Sequence, residues 1–144
     1  MGHISQRADL HKALGKAAQY FGVRTGKIEL LGGLHRVSFS AYNFEKQERL
    51  PSIVVEGANE IVGGHGTISE LDGDLHIHLH LSIAYRDEKA TSGIQVVGGH
   101  VAAAEVYAVE FIMTAYDGEG VHREEDALTG VKLWSLPTIE IMDS

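Results

Sequence analysis

The chain of 144 residues has the length of one domain, and its 44% apolar and 22% charged residues are typical of a protein that buries a core. Disordered, collagen-like and coiled-coil classes are therefore excluded. The net charge of −8 argues against a protein that merely coats nucleic acid, and the absence of cysteine excludes disulfides, zinc–thiolate sites and cysteine nucleophiles.

A helix is the first predicted element. Asp9 is a suitable N-cap, apolar residues recur at helical spacing from Leu10 to Phe21, and Gly22 suits the position after a helix. The period then changes from 3.6 to 2, which predicts two strands, residues 28–31 and 37–42, around a turn at Gly32-Gly33.

Alternating or apolar segments predict further strands, separated by glycine, asparagine or charged residues: 52–56, 67–71, 75–85, 94–97 and 106–115. Asp72-Gly73 predicts a tight hairpin, because a type I′ turn needs positive φ at both central positions. Residues 63–66 are interpreted as a turn or a bulge. The segment 131–134 either adds an edge strand or crosses to a neighbouring subunit.

Charge is unevenly distributed along the chain. Residues 1–50 carry eight Lys/Arg and four Asp/Glu, whereas residues 51–144 carry four and sixteen, so a local basic face is compatible with the acidic total. Between Asp117 and Asp126 five acids surround one base, Arg123, and we interpret this run as a solvated loop. The chain shows neither an apolar run of about 18 residues nor a signal-peptide pattern, so we expect a cytoplasmic protein without membrane contact.

Three histidines alternate with aliphatic residues in one predicted strand. His76, His78 and His80 must share one face of that strand, and the aliphatic residues between them share the other. Alternate residues lie roughly 6.5–7 Å apart, a separation that two imidazoles can close onto one ion. Three in a row span twice that distance, so we expect one of the three not to be a ligand.

A third ligand has to come from another segment. His100 is the candidate, because Gly98 and Gly99 before it remove side-chain bulk and let the backbone approach a neighbouring strand. Three neutral imidazoles with one open position resemble catalytic zinc sites more than closed structural ones. Two alternatives remain: the histidines decorate a polar strand face, or they line a subunit interface.

The segment from Gly64 to His80 (GHGTISELDGDLHIHLH), together with Gly98-Gly99-His100-Val101, resembles the plant and prokaryote conserved (PPC) domain family. The resemblance covers residues 8–134 as a single domain, with residues 1–7 and 135–144 as terminal extensions. It implies an α+β fold with a mostly antiparallel sheet and flanking α-helices, assembled as a homotrimer. The metal ligands it implies are His78, His80 and His100, with zinc as the metal, and it leaves the role of His76 open.

The resemblance also implies a DNA-binding or regulatory role, with the protein itself and DNA as partners. An AT-hook is missing, since the chain lacks its Arg-Gly-Arg-Pro core, and an acidic chain without that basic arm lacks the usual source of affinity for DNA. Two functions are therefore considered. One is a metal-binding homotrimeric domain with a DNA-associated or regulatory role, and the other is a small zinc hydrolase or lyase.

Overall fold

The computed structural model describes residues 1–137. Its one helix in that range, α1, spans Leu10–Tyr20. The side chain of Asp9 accepts a hydrogen bond from the backbone N–H of Lys12 at 3.0 Å, and Gly22 has a φ of +68° directly after the C-cap, as the sequence predicted. No helix in the described part of the chain is long and apolar enough to cross a membrane.

Strands make up most of the remaining structure. Their bounds are β1 Gly2–Ile4, β2 Gly26–Ser40, β3 Tyr42–Asn43, β4 Glu48–Arg49, β5 Ile53–Leu71, β6 Asp74–Arg86, β7 Ile94–Ala115, β8 Arg123–Glu125 and β9 Lys132–Trp134. The sheet is antiparallel and mostly built from four long strands, so the predicted fold class is confirmed in its coarse form. The prediction of several flanking helices was wrong, because α1 alone packs on the sheet within the described residues.

The main sheet closes on itself. Its strand order is β1-β7-β2-β5-β6, and β6 also pairs with the first part of β7. β7 can pair with both neighbours because it is 22 residues long: residues from His100 onward face β2, and residues up to His100 face β6. His100 therefore lies where three strands meet.

The predicted turn at Gly32-Gly33 was wrong. The backbone continues through these residues as one strand, β2, with an irregularity in its pairing to β5. Gly32 has a φ of +127°, and a Cβ there would collide with the carbonyl oxygen of Ala108 on β7, so glycine is required by a bulge and not by a turn. In the same way β5 and β7 each join two predicted shorter strands, and residues 63–66 lie within β5 beside a bulge.

The predicted hairpin between β5 and β6 is confirmed. Asp72 and Gly73 have φ values of +53° and +88°, and Leu71 pairs with Asp74 directly across the turn. The C-terminal segment forms β9, which pairs with β8 of the same chain. Of the predicted extension 135–144, only residues 135–137 are described by the structure. The other predicted extension, residues 1–7, contains β1, which pairs with β7.

The core lies between α1 and the inner face of the sheet. Leu10, Leu14 and Ala18 of α1 are fully buried, at the i, i+4 and i+8 spacing of one helix face. They belong to one cluster with alternate residues of the long strands, among them Leu79, Leu81, Ile83, Val101, Val106 and Val109. Burial of the aliphatic face of β6 leaves its other face, which carries the histidines, outside the core.

Candidate metal centre

The alternation in β6 separates its two faces as the sequence predicted. Leu79 and Leu81 are buried, while His78 is half-buried and His80 is exposed. Burial of the two leucines fixes the register of the strand, because a slip by one residue would exchange the faces. The core therefore holds the two imidazoles on one side of the strand.

The third histidine arrives from β7. His100 pairs directly with His80, and the strand approaches β6 closely through Gly98, where a Cβ would lie 2.5 Å from the carbonyl oxygen of Leu81. Gly99 follows with a φ of +154°, a backbone angle that other residues rarely adopt. These two glycines place the ring of His100 against those of His78 and His80, with ring centres 4.7 and 5.4 Å away.

Three imidazole nitrogens converge on one point. Nε2 of His78 lies 3.1 Å from Nε2 of His80 and 3.1 Å from Nδ1 of His100, and one nitrogen of each ring lies within 4.8 Å of the others. Ligands about 2.0–2.1 Å from a tetrahedral zinc ion are about 3.3 Å apart. The spacing of these nitrogens is therefore close to that of three corners of a zinc tetrahedron.

Hydrogen bonding among the rings accounts for this convergence only in part. In a neutral imidazole each ring nitrogen is either a donor or an acceptor, with one direction of bonding in the ring plane. Nε2 of His78 has two nitrogen neighbours at 3.1 Å and can serve only one of them well. A shared cation would satisfy all three nitrogens, so the donor set fits a metal ion.

The electrostatic setting keeps the cluster neutral. Burial, followed by the neighbouring His100, lowers the pKa of His78 to about 4. Burial, followed by His80, lowers the pKa of His100 to about 4, and burial also lowers the pKa of His80. At neutral pH the rings therefore keep free lone pairs, which is the form that binds a metal.

His76 does not join the three converging rings. Its ring is perpendicular to that of His78 with 6.0 Å between centres, and it is absent from the group of converging nitrogens. Its Nδ1 is buried without a hydrogen-bond partner in the part of the chain that the structure describes. The converging group within the described residues therefore consists of His78, His80 and His100, without His76.

Arg123 is a neighbour of the cluster that sequence reasoning missed. It lies in β8, and its guanidinium donates hydrogen bonds to the hydroxyls of Ser69 and Thr67 on β5. Residues 121–125 thus dock on β5 and are not simply a solvated loop, and the backbone N–H of Glu70 donates to the carbonyl of Val121. The available signal was Arg123 itself, the one base within an acidic run.

The fold and the site together define a small antiparallel-sheet domain with one helix, a closed sheet and three converging histidines on its outer face. Residues 1–117 match the family described as the Plants and Prokaryotes Conserved (PCC) domain. The chain belongs to this family, which is the one that the histidine and glycine motifs resemble.

Several solved structures share the fold. A metal-containing protein from Archaeoglobus fulgidus is 26% identical, with a TM-score of 0.82 over 92% of this chain and 89% of that chain. A plant- and prokaryote-conserved protein from Pyrococcus horikoshii is 24% identical, with a TM-score of 0.81 over 95% and 90%. A candidate DNA-binding protein from Ralstonia eutropha is 19% identical, with a TM-score of 0.79 over 94% and 89%. None of the curated proteins matches the chain.

Proposed function

We propose that this protein is a metal-binding PCC domain in which His78, His80 and His100 hold a zinc ion. The observation that carries the proposal is the convergence of three ring nitrogens, from two strands, within 4.8 Å of one another. The similar fold of a metal-containing protein from Archaeoglobus fulgidus supports it. The ion would bind on the outer face of the sheet, where β6 and β7 meet.

The chemistry of the donors favours zinc over the common hard cations. Calcium and magnesium prefer oxygen ligands, and the cluster of His78, His80 and His100 contains no carboxylate. The chain also has no cysteine, so the soft thiolate sites that select copper(I) or iron–sulfur clusters are excluded. Neutral imidazoles suit zinc, and three of them leave its fourth position open.

Elemental analysis tests the metal directly. Protein purified without added metal should contain about one zinc per chain, and a His78→Ala/His100→Ala variant should contain none. His65→Ala is the matched control, because His65 is exposed and stacks on His80 at 6.4 Å but lies outside the converging group. The proposed ligand set would be contradicted if the double variant contained one zinc per chain, or if only the His65→Ala control lost its zinc.

We further propose that the domain assembles as a homotrimer. A cleft of about 1160 Å³ is lined by large apolar side chains that stay exposed in the single chain, among them Leu31, Ile94 and Tyr107 at 58%, 55% and 57% exposure. Such a patch is costly in water and typical of an interface. Asn59 supports this, because it lines the same cleft and its buried Oδ1 has no hydrogen-bond partner among residues 1–137.

Light scattering after gel filtration tests the assembly. A trimer of 15.6 kDa chains has a mass of about 47 kDa, and a Tyr107→Glu variant should shift toward the monomer because it places a charge in the apolar cleft. Lys16→Glu is a suitable control, since Lys16 lies on α1 and does not line this cleft. A wild-type protein that runs as a monomer would contradict the proposal.

The role proposed for the assembled domain is DNA-associated or regulatory, and it would act in the cytoplasm. The similar fold of the candidate DNA-binding protein from Ralstonia eutropha supports this role. Three of the eight basic residues in positions 1–50, Lys12, Lys16 and Arg49, form no ion pair within residues 1–137 and would supply charge for phosphate contacts despite the net charge of −8. The purified protein should retain a DNA duplex at low salt and release it as salt rises, and no retention at tens of micromolar protein would refute DNA binding.

A zinc enzyme, a hydrolase or a lyase, is the second candidate function. It is favoured by the number of ligands, because the converging group in the described chain holds three donors and would leave a coordination position for water. Against it, the 1160 Å³ cleft does not include any of the three histidines, so that cleft does not supply a substrate pocket over the metal. Turnover of ester or phosphate test substrates that disappears in His100→Ala would favour the enzyme.

A further inference from the structure

Arg123 is held in an unusual way for a surface arginine. Its Nε donates to the hydroxyl of Ser69 at 2.9 Å, Nη2 donates to the hydroxyl of Thr67 at 3.2 Å, and Nη1 donates to the carbonyl of Lys132 at 2.9 Å. The guanidinium also lies 5.6 Å from the ring centre of Trp134. These contacts fix the orientation of the cation, which is partly withdrawn from water.

The cation has no anionic partner in the described chain. Among residues 1–137 no carboxylate forms an ion pair with Arg123, although acidic residues flank it in sequence. A guanidinium has five N–H donors, and three are used by Ser69, Thr67 and Lys132, so two remain. Two N–H groups are what a carboxylate or a phosphate accepts in a bidentate pair.

The position of Arg123 relates it to the histidine cluster. Thr67 is paired with His78, and Ser69 is paired with His76, across the β5–β6 ladder. Directly paired residues point to the same face of a sheet, with Cβ atoms about 4.5–5.5 Å apart. The guanidinium bound to both hydroxyls is therefore on the same face as the imidazoles and adjacent to them.

The charge of this face would be strongly positive with the metal bound. Three neutral imidazoles do not reduce the charge of a divalent cation, and no carboxylate belongs to the converging group in the described residues. Arg123 adds a further positive charge one strand away. A metal in this setting favours an anion over water in its open position, because the anion offsets charge that the protein leaves uncompensated.

We propose that Arg123 and the metal held by His78, His80 and His100 together bind a small oxyanion, a carboxylate or a phosphate. This inference rests on the proposed metal centre and names its ligand class. A small molecule is favoured over a DNA phosphate because His78 and His100 are half-buried, so a small ion reaches the metal more easily than the backbone of a rigid duplex does.

Cobalt-substituted protein provides the test, because the visible absorption of Co²⁺ changes when its fourth ligand changes. Acetate and inorganic phosphate are titrated separately into protein that holds one Co²⁺ per chain. We expect saturable spectral changes with the wild type and at least tenfold weaker binding with Arg123→Gln. Lys16→Gln is the control, since it removes one positive charge from an exposed residue of α1 that lines neither the histidine cluster nor the apolar cleft, and it should not change the affinity.

The outcomes separate this inference from the proposed metal centre. Failure of the wild-type protein to bind Co²⁺ would refute the proposed metal centre and, with it, this inference. Normal Co²⁺ uptake with equal anion affinity in wild type and Arg123→Gln would refute the inference alone. Should Arg123→Gln unfold, Arg123→Lys keeps the charge without the planar fork and is expected to bind acetate and phosphate more weakly than the wild type. The choice of a small molecule would be overturned if a DNA duplex, with its concentration counted as backbone phosphates, changed the spectrum at a lower concentration than inorganic phosphate does.

Discussion

Replacement of His100 by alanine tests the proposed metal centre most directly, because it removes one of the three proposed ligands and does not change any side chain of the core. A ligand that binds only the folded state stabilises it by RT ln(1 + [L]/Kd), about 2.7 kcal/mol when zinc is present at 100 times Kd. Roughly 2–4 °C of Tm per kcal/mol then gives a rise of about 5–11 °C for a chain of this size.

The same arithmetic gives the expected loss in His100→Ala. Changes to residues that merely support metal ligands cost about 10–100-fold in affinity, so removal of a ligand costs at least about 100-fold. At the zinc concentration used above, [L]/Kd then falls to about 1 or less, and the stabilisation falls to about 0.4 kcal/mol. The expected Tm rise is roughly 2 °C or less.

Thermal unfolding followed by circular dichroism measures both values. Each protein is first stripped with a chelator and then melted with and without zinc. His65→Ala should keep the full rise, because its exposed ring stacks on His80 outside the converging group. Equal zinc-dependent shifts in wild type and His100→Ala would show that the three nitrogens do not share one ion, and the reasoning would fail.

Three other predictions follow from the structure. The free energy of unfolding of the metal-free protein, measured in urea, should decrease as the pH falls from about 6.5 toward about 4. Burial lowers the pKa of His78 and His100 in the folded state to about 4, so the unfolded chain takes up protons at a higher pH than the folded protein does. Equal stability at pH 7 and pH 5 would contradict this. Gly98→Ala should lower the free energy of unfolding by about 1–3 kcal/mol and reduce the zinc content, because the added Cβ would lie 2.5 Å from the carbonyl oxygen of Leu81. Gly63→Ala is the control: its Cβ would lie 4.0 Å from the nearest neighbouring atom, so the zinc content measured by elemental analysis and the Tm should change little. Leu79→Ala should cost about 2–5 kcal/mol in urea unfolding, since the side chain is fully buried; a loss below about 0.5 kcal/mol would argue against the face assignment of β6.

Short-range patterns in the sequence predicted the local structure well. The N-cap at Asp9 and the hairpin at Asp72-Gly73 depend on contacts between residues close in the chain, so both can be predicted before the fold is known. The separation of histidines from leucines in β6 is equally local, because it follows from the two-residue period of a strand. These features carried the prediction that His78 and His80 share a face.

Glycines misled the prediction of strand ends. A Gly-Gly pair is compatible with a turn or with a bulge, and the choice depends on whether another strand lies against it. At Gly32 the backbone of Ala108, 76 residues further along the chain, occupies the space a side chain would need. The sequence carries no local signal of that contact, so the long strands β2, β5 and β7 were each predicted as two shorter ones. Arg123 was missed for a related reason, because its hydroxyl partners on β5 are 54 and 56 residues away.

The irregularity that closes the sheet also builds the site. β7 changes its partner from β6 to β2 at His100, and this is possible because Gly98 admits the carbonyl of Leu81 and Gly99 adopts positive φ. His100 is paired with Ser40 of β2 and with His80 of β6, so the residue at which the sheet closes is also the residue that supplies the third imidazole. Closure of the sheet and convergence of the three imidazoles therefore have one cause, and a substitution at either glycine is expected to disturb both together.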